Sequence, residues 1–267
     1  MAIHPTAVVS PTAEVDSDVE IGPYATIGDQ VIMGPGNVVH QHVTITGHTT
    51  IGSENMFYPG AIIGTPPQDL KYRGEDTQLI IGDNNTFREY VTANTGTEVG
   101  GGITAIGDLN LIMAYCHIAH DCFIESNTIL ANGAALGGHV KVEEGAAFGG
   151  MIGVHHFVTV GKYSYVGGMS RIAQDVPPFM LVEGNPARVR TVNSVGLKRK
   201  GLSEESMEAI KFAWRKLYKD GGIMSHALED IKNSDHFEIE ELQYLVEFIA
   251  AAEAGKLGRA REAHRND

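Results

Sequence analysis

The 267-residue chain has two cysteines, one tryptophan and no apolar run of membrane length. Cys116 and Cys122 are too few for a disulfide framework, and no CxxC pair offers the usual zinc spacing. Both fall at one position of a sequence repeat, which favours packed, reduced thiols over reactive ones. The stretch from Met1 to Ser10 has neither a basic start nor an unbroken apolar core, so it does not read as a secretory signal. No window nears the roughly 18 apolar residues that a membrane span needs. Together these absences predict a soluble, cytoplasmic protein.

Positive charge is also scarce. Residues 1–180 hold 6 Lys and Arg against 18 Asp and Glu, and the whole chain carries a formal charge of −13. That balance disfavours nucleic acid as a partner. The segment from Ala187 to Lys219 is the exception, with Arg188, Arg190, Lys198, Arg199, Lys200, Lys211, Arg215, Lys216 and Lys219 facing three glutamates. It can receive phosphates or an acidic protein, although a solvated helix face accounts for Lys211 to Lys219 equally well.

What the sequence does contain is a beat of six. Ile3, Val9, Val15, Ile21, Ile27, Met33, Val39, Ile45, Ile51, Phe57 and Ile63 are all apolar. A second series runs Ile106, Ile112, Ile118, Ile124, Leu130, Leu136, Val142, Phe148, Val154, Val160, Val166 and Ile172. A helix repeats every three to four residues and a strand every two, so neither fits alone. A short strand plus a corner does fit, as one side of a prism, with Gly or Asn expected at the φ > 0 corners. Three sides make a coil of roughly 18 residues, and coils stack at about 4.8 Å. One coil cannot bury its apolar side, whereas a stack can.

The beat is interrupted twice. Thr65 to Gly74 cannot form prism sides and should bulge out as a loop. Gly100-Gly101-Gly102 shifts the register by one. The series ends at Asp175-Val176-Pro177-Pro178. Beyond it Met207, Ile210, Trp214 and Leu217 share a helical face, with Ser203 as N-cap and Gly221-Gly222 as a stop; two more helices fit 225–231 and 237–254. The predicted architecture is mainly β: a parallel β-helix over 1–190, with excursions near 64–80 and 94–105, then a small α-helical domain over 191–267.

Residues one coil apart lie above one another, so the sequence can be read in columns. His120, Gly138 and His156 share a column; Asp121, His139 and Phe157 share the next; His117 and His155 flank them. A neutral imidazole at His120 can take the proton of an alcohol that attacks a carbonyl. Asp121 can fix its tautomer, and the Gly138 N–H, with no side chain in the way, can stabilise an oxyanion. No serine or cysteine nucleophile falls beside His120, which favours direct transfer. His clusters also bind zinc, so a zinc-dependent β-helix hydratase is a rival, although three convergent ligands are not obvious here. His40, His42, His48, His226, His236 and His264 read as solvated or packed residues.

Several segments resemble the UDP-N-acetylglucosamine acyltransferase family across nearly the whole chain. They are the hexads, Gln68-Asp69-Leu70-Lys71-Tyr72, His117-Ile118-Ala119-His120-Asp121-Cys122, Gly138-His139-Val140, Gln174-Asp175-Val176-Pro177-Pro178, Gly184-Asn185 and Gly196-Leu197-Lys198-Arg199. The resemblance implies a left-handed β-helix, a homotrimer with active sites between subunits, and no metal or cofactor. It implies transfer of an (R)-3-hydroxyacyl group from acyl carrier protein to the glucosamine 3-hydroxyl, the first step of lipid A biosynthesis. His120 matches the general base, Asp121 its neighbour and Gly138 the oxyanion donor. Asp69, Lys71, His117, His139, His155, Asn193 and Arg199 match residues that contact substrate or support catalysis, and Gly168 matches the floor of the acyl groove. His156 departs from the family, standing where Gln is expected in the nucleotide-sugar region. The main rival within the superfamily is an acetyl-coenzyme A-dependent acetyltransferase, since Gly184 to Ala187 recurs in those enzymes; the excursion loop and helical tail favour the carrier-protein enzyme.

Overall fold

The computed structural model describes residues 2–258; His264 and the end of the predicted helical region lie outside the described residues. Strands of mostly two residues follow one another around a single axis. Ala2–Ile3 opens face A, Val8–Val9 face B and Glu14–Val15 face C, and Glu20–Ile21 then pairs in parallel with Ala2–Ile3. Faces A, B and C grow in this way to 11, 9 and 8 strands.

The six-residue beat supplies the core. On face A the inward row includes Ile21, Val39, Phe57, Phe87, Ile112, Leu130, Phe148 and Val166, all buried, with Phe57 and Phe87 stacked at 4.9 Å. Burying such rows between stacked coils is the main stabilising term, since no single coil encloses its own apolar side. The excursions appear as jumps in pairing. Phe57 pairs with Phe87 and Phe87 with Ile112, whereas Ile112 pairs with Leu130 at the regular step of 18.

The corners differ from expectation. Among the described residues, fifteen non-glycine residues have φ between 54° and 68°, including Tyr24, Tyr90, Leu109, Tyr115, Asp121, His139 and Phe157. Gly and Asn therefore do not own these positions. The left-handed conformation costs roughly 1–2 kcal/mol per residue, and contacts between corners offset it. Tyr24 stacks on His42 at 5.2 Å, Tyr90 on Tyr115 at 5.2 Å and His139 on Phe157 at 4.3 Å.

A second feature escaped the apolar pattern. Where face C turns into face A, Asn37, Asn55, Asn85, Asn110 and Thr128 are buried one above another. Asn55 Oδ1 accepts the Asn85 N–H at 2.9 Å, Asn85 Oδ1 accepts the Asn110 N–H at 2.9 Å, and Asn110 Oδ1 accepts the Thr128 N–H at 2.8 Å. The ladder satisfies backbone groups that the corner leaves out of the sheets.

The last coil gives way to an antiparallel hairpin, Met180–Gly184 with Ala187–Val192, that turns at the cis Asn185–Pro186 bond. Four helices follow among the described residues: α1 (Ser194–Arg199), α2 (Glu204–Tyr218), α3 (Met224–Lys232) and α4 (Glu240–Glu253). Ser203 caps α2 by accepting the Ser206 N–H. Both α1 and the hairpin were absent from the sequence reading. Tyr244 of α4 ties the helices to the prism by donating to Glu143 Oε2 at 2.6 Å. No described helix is long and apolar enough to cross a membrane.

Candidate active site

Both excursions leave the prism along one edge, where face B turns into face C. The first lies between Ile62–Thr65 and Gln78–Ile81, the second between Thr92–Asn94 and Ile103–Ile106. Asn94 Nδ2 roots the first by donating to Thr65 Oγ1 at 3.0 Å and to the Pro66 carbonyl at 3.1 Å. The next corner on this edge, between His117–Ile118 and Phe123–Ile124, carries His120 and Asp121. Above it come Gly138 and His139, then His156 and Phe157, in the columns that the six-residue beat predicts.

His120 Nδ1 lies 2.7 Å from Asp121 Oδ2. The Asp121 carboxylate is buried and held from the second excursion: Thr97 N–H donates to Oδ1 at 2.8 Å and Thr97 Oγ1 donates to Oδ2 at 2.6 Å. Burial pushes the Asp121 carboxyl up, but the donors from His120 and Thr97 outweigh it and leave it below the ordinary carboxylate value. Asp121 is therefore an anion. Its own N–H donates to Thr104 Oγ1 at 2.7 Å, which fixes the corner.

The other nitrogen of His120, Nε2, is 4.0 Å from Asp69 Oδ2. Asp69 is set by its own loop, where Oδ1 accepts the Lys71 N–H at 2.9 Å. The imidazole packs directly against Gly138, one coil above, whose missing Cβ would stand 2.5 Å from His120 Cε1 and 2.7 Å from Nε2. Any larger residue there evicts the ring.

His139 meets His120 edge-on at 5.2 Å and brings Nε2 to 3.7 Å from Asp121 Oδ2. His117 sits on face B, its Nδ1 2.8 Å from Thr92 Oγ1. Burial, and then the neighbouring His120, hold its pKa below the usual histidine value. His155 packs against His156 at 3.8 Å, with Nδ1 3.2 Å from the His156 carbonyl oxygen. Cys122 is buried beneath this edge, its thiol pushed up to about 12 by burial, and Cys116 is raised to about 11. Thiols so protonated are poor nucleophiles.

His120, Asp121 and His139 are close enough to share a cation. Asp121 Oδ2 already accepts from Thr97 Oγ1 and lies 2.7 Å from His120 Nδ1, so a metal on that oxygen competes with both contacts. A cleft of about 510 Å³ on the face C flank is lined by Val99, Gly100, Asp121, Phe123, Lys141 and Phe157 among others, but not by His120. His120 Nε2 faces the other flank, towards Asp69.

Three of the expected residues do not converge on this edge. Asn193 caps α1 through Oδ1, which accepts the Gly196 N–H at 3.2 Å, while its Nδ2 donates to the Tyr163 carbonyl at 2.9 Å, at the turn from face C to face A. Arg199 borders a second cleft of about 410 Å³ with Ser194, Val195 and Lys198. Gly168 stands where face A turns into face B, its absent Cβ 3.3 Å from the Gly150 carbonyl oxygen. Conversely, Thr97, Thr104 and Thr92 support the site without having been singled out for it. The Gly-rich register shift beside Thr97 was the one available signal.

The family described as UDP-N-acetylglucosamine O-acyltransferase, domain 2, matches residues 175–257. An acyl-[acyl-carrier-protein]–UDP-N-acetylglucosamine O-acyltransferase of Thermodesulfovibrio yellowstonii is 47% identical over 253 residues, covering 95% of this chain and 98% of the relative. The chain belongs to the UDP-N-acetylglucosamine O-acyltransferase family. A relative with the same description from Verminephrobacter eiseniae is 52% identical over 219 residues, 82% of this chain and 84% of its own. The solved UDP-N-acetylglucosamine O-acyltransferase of Moraxella catarrhalis superposes with a TM-score of 0.90 at 38% identity, covering 95% of this chain and 98% of that one. Membership in this acyltransferase family agrees with the fold, a left-handed parallel β-helix followed by helices.

Proposed function

We propose that the chain moves an (R)-3-hydroxyacyl group from acyl carrier protein onto the glucosamine 3-hydroxyl of UDP-N-acetylglucosamine, in lipid A biosynthesis, with His120 as general base. The observation that carries this reading is the 2.7 Å bond between His120 Nδ1 and Asp121 Oδ2, made by an imidazole that packs against a side-chain-free residue. The printed names of the relatives supply donor and acceptor.

With Nδ1 engaged by Asp121, Nε2 accepts the proton of the sugar hydroxyl as its oxygen attacks the thioester carbonyl. The tetrahedral intermediate carries an oxyanion, which the Gly138 N–H stabilises; one such donor contributes about 3 kcal/mol. Asp121 balances the imidazolium. Collapse breaks the C–S bond, and His120 returns its proton to the departing phosphopantetheine thiolate. No covalent acyl-enzyme is needed, in keeping with the buried, protonated cysteines.

Asp69 and Lys71 orient the sugar and its phosphates from the excursion loop, with His117, His139, His155 and His156 around them. Asn193 and Arg199 on one other edge, and Gly168 on the third, serve the same substrates when supplied by neighbouring copies, so the active unit is a homotrimer with sites between subunits. The basic run from Lys198 to Lys200 suits an acidic carrier protein. The working division is a prism over 1–190 and a helical domain over 191–267, in the cytoplasm.

The test is acyl transfer by purified His120→Ala against wild type, with carrier-protein and coenzyme A thioesters as donors. His120→Ala is expected to lose at least about a thousandfold in kcat while it melts and sediments like wild type. Wild-type turnover from this variant refutes the base, and a preference for acetyl-coenzyme A refutes the donor.

A further inference from the structure

We propose that Thr97 is a positioning residue for the transfer: it clamps both oxygens of Asp121 and thereby fixes the tautomer and aim of His120. The proposal rests on the reading of His120 as general base.

The hydrogen bonds leave little choice. Thr97 Oγ1 accepts the Gly100 N–H at 3.1 Å, so the single proton of that hydroxyl is left for Asp121 Oδ2, 2.6 Å away. The Thr97 N–H occupies Oδ1 at 2.8 Å. Both carboxylate oxygens therefore act as acceptors, and the third partner, His120 Nδ1, must be the donor. A neutral imidazole that donates through Nδ1 carries its lone pair on Nε2, the atom that faces Asp69. The tautomer required of the base thus follows from a threonine in a different coil.

The second excursion is shaped for this task. Thr97 is the N-cap of the turn Glu98–Gly100, and that turn brings Gly100 against the carboxylate so closely that a Cβ would stand 2.1 Å from Asp121 Cγ. The insertion that breaks the six-residue beat is accounted for by the side chain it holds.

The full-length enzyme is assayed as wild type, Thr97→Val, Thr97→Ser, Asp121→Asn and the Thr97→Val/Asp121→Asn double variant. Thr97→Val is expected to lower kcat by about tenfold or more while KM for both substrates stays within about twofold, because the group acts on the base rather than on substrate. Thr97→Ser restores the hydroxyl and returns kcat to within about threefold of wild type. In the Asp121→Asn background Thr97→Val costs little more, since the clamped group is already gone. Wild-type kcat from Thr97→Val overturns the proposal, and so does an equal, additive loss in the Asp121→Asn background. If Thr97→Val does not fold, Gly100→Ala crowds the same carboxylate and must reproduce the loss in kcat; unchanged kcat there overturns the proposal too. An active His120→Ala variant sinks the underlying base reading instead, so the two failures are told apart.

Discussion

The imidazole of His120 rests on the bare Cα of Gly138 one coil above, so close that a single added methyl would stand 2.5 Å from its Cε1. The pair is one packing unit: the glycine makes room for the imidazole, which a side chain at 138 would displace. Gly138 has no positive φ that would demand glycine, so the constraint on it is contact with the imidazole. Gly138→Ala is accordingly expected to cut kcat by about a hundredfold or more through displacement of the ring, with a melting temperature close to wild type. Activity near wild type contradicts the packing described here.

The buried asparagine ladder makes a separate prediction about stability. Asn85 accepts from Asn110 N–H, and its amide donates to Asn55 Oδ1 at 2.9 Å and to the Gly107 carbonyl at 2.8 Å. Asn85→Ala strands the Asn110 N–H and the Gly107 carbonyl, at a cost of about 1–3 kcal/mol for each unsatisfied group, while Asn55 Oδ1 keeps the backbone N–H of residue 85. Urea unfolding should show a clear drop in midpoint, while Gln30→Ala, at an exposed corner position without positive φ, should lose far less. Equal losses from the two variants dismiss the ladder as a stabilising element.

How much of this was legible in the sequence depends on how local the signal was. The prism was readable because Ile, Val, Leu and Phe recur at a spacing that only a three-sided coil satisfies, and columns computed from it brought His120, Gly138 and His156 into line. The corners were misread because intrinsic preference for Gly and Asn at positive φ is worth little more than the ring stacking that holds Tyr90 and Tyr115 there. Thr97 was invisible for a different reason: its partner Asp121 lies across a register break that the six-residue beat does not constrain. The short α1 stayed hidden because its cap, Asn193, had been read as a ligand.

His117 predicts a pH dependence whose sign can be worked out. Its folded pKa is depressed, first by burial and then by His120, relative to the ordinary 6.5. Below that value the unfolded chain binds the proton more readily than the folded one, so this residue lowers stability as pH falls from about 6.5 towards its depressed folded value. His117→Gln removes the titrating group. Comparing melting temperatures at pH 7.5 and pH 5.5, wild type should lose more on acidification than the variant. The same or a larger loss in His117→Gln means that the histidine is not responsible.

Gly168 bears on chain length. Its column at the turn from face A to face B contains Gly150 one coil below, and a Cβ at 168 meets only the Gly150 carbonyl oxygen at 3.3 Å and its nitrogen at 3.6 Å. The backbone there is not in the left-handed region, so a side chain is tolerated with a shift of a few tenths of an ångström and the fold should survive Gly168→Met. A methionine projecting from that corner fills space that an acyl chain would otherwise occupy if the groove runs past it. Gly168→Met should then prefer donors shorter by several methylenes, each buried CH2 being worth about 0.8 kcal/mol, with little change towards the nucleotide sugar. Competition between carrier-protein thioesters of graded length reads this directly, and an unchanged preference removes Gly168 from the acyl groove.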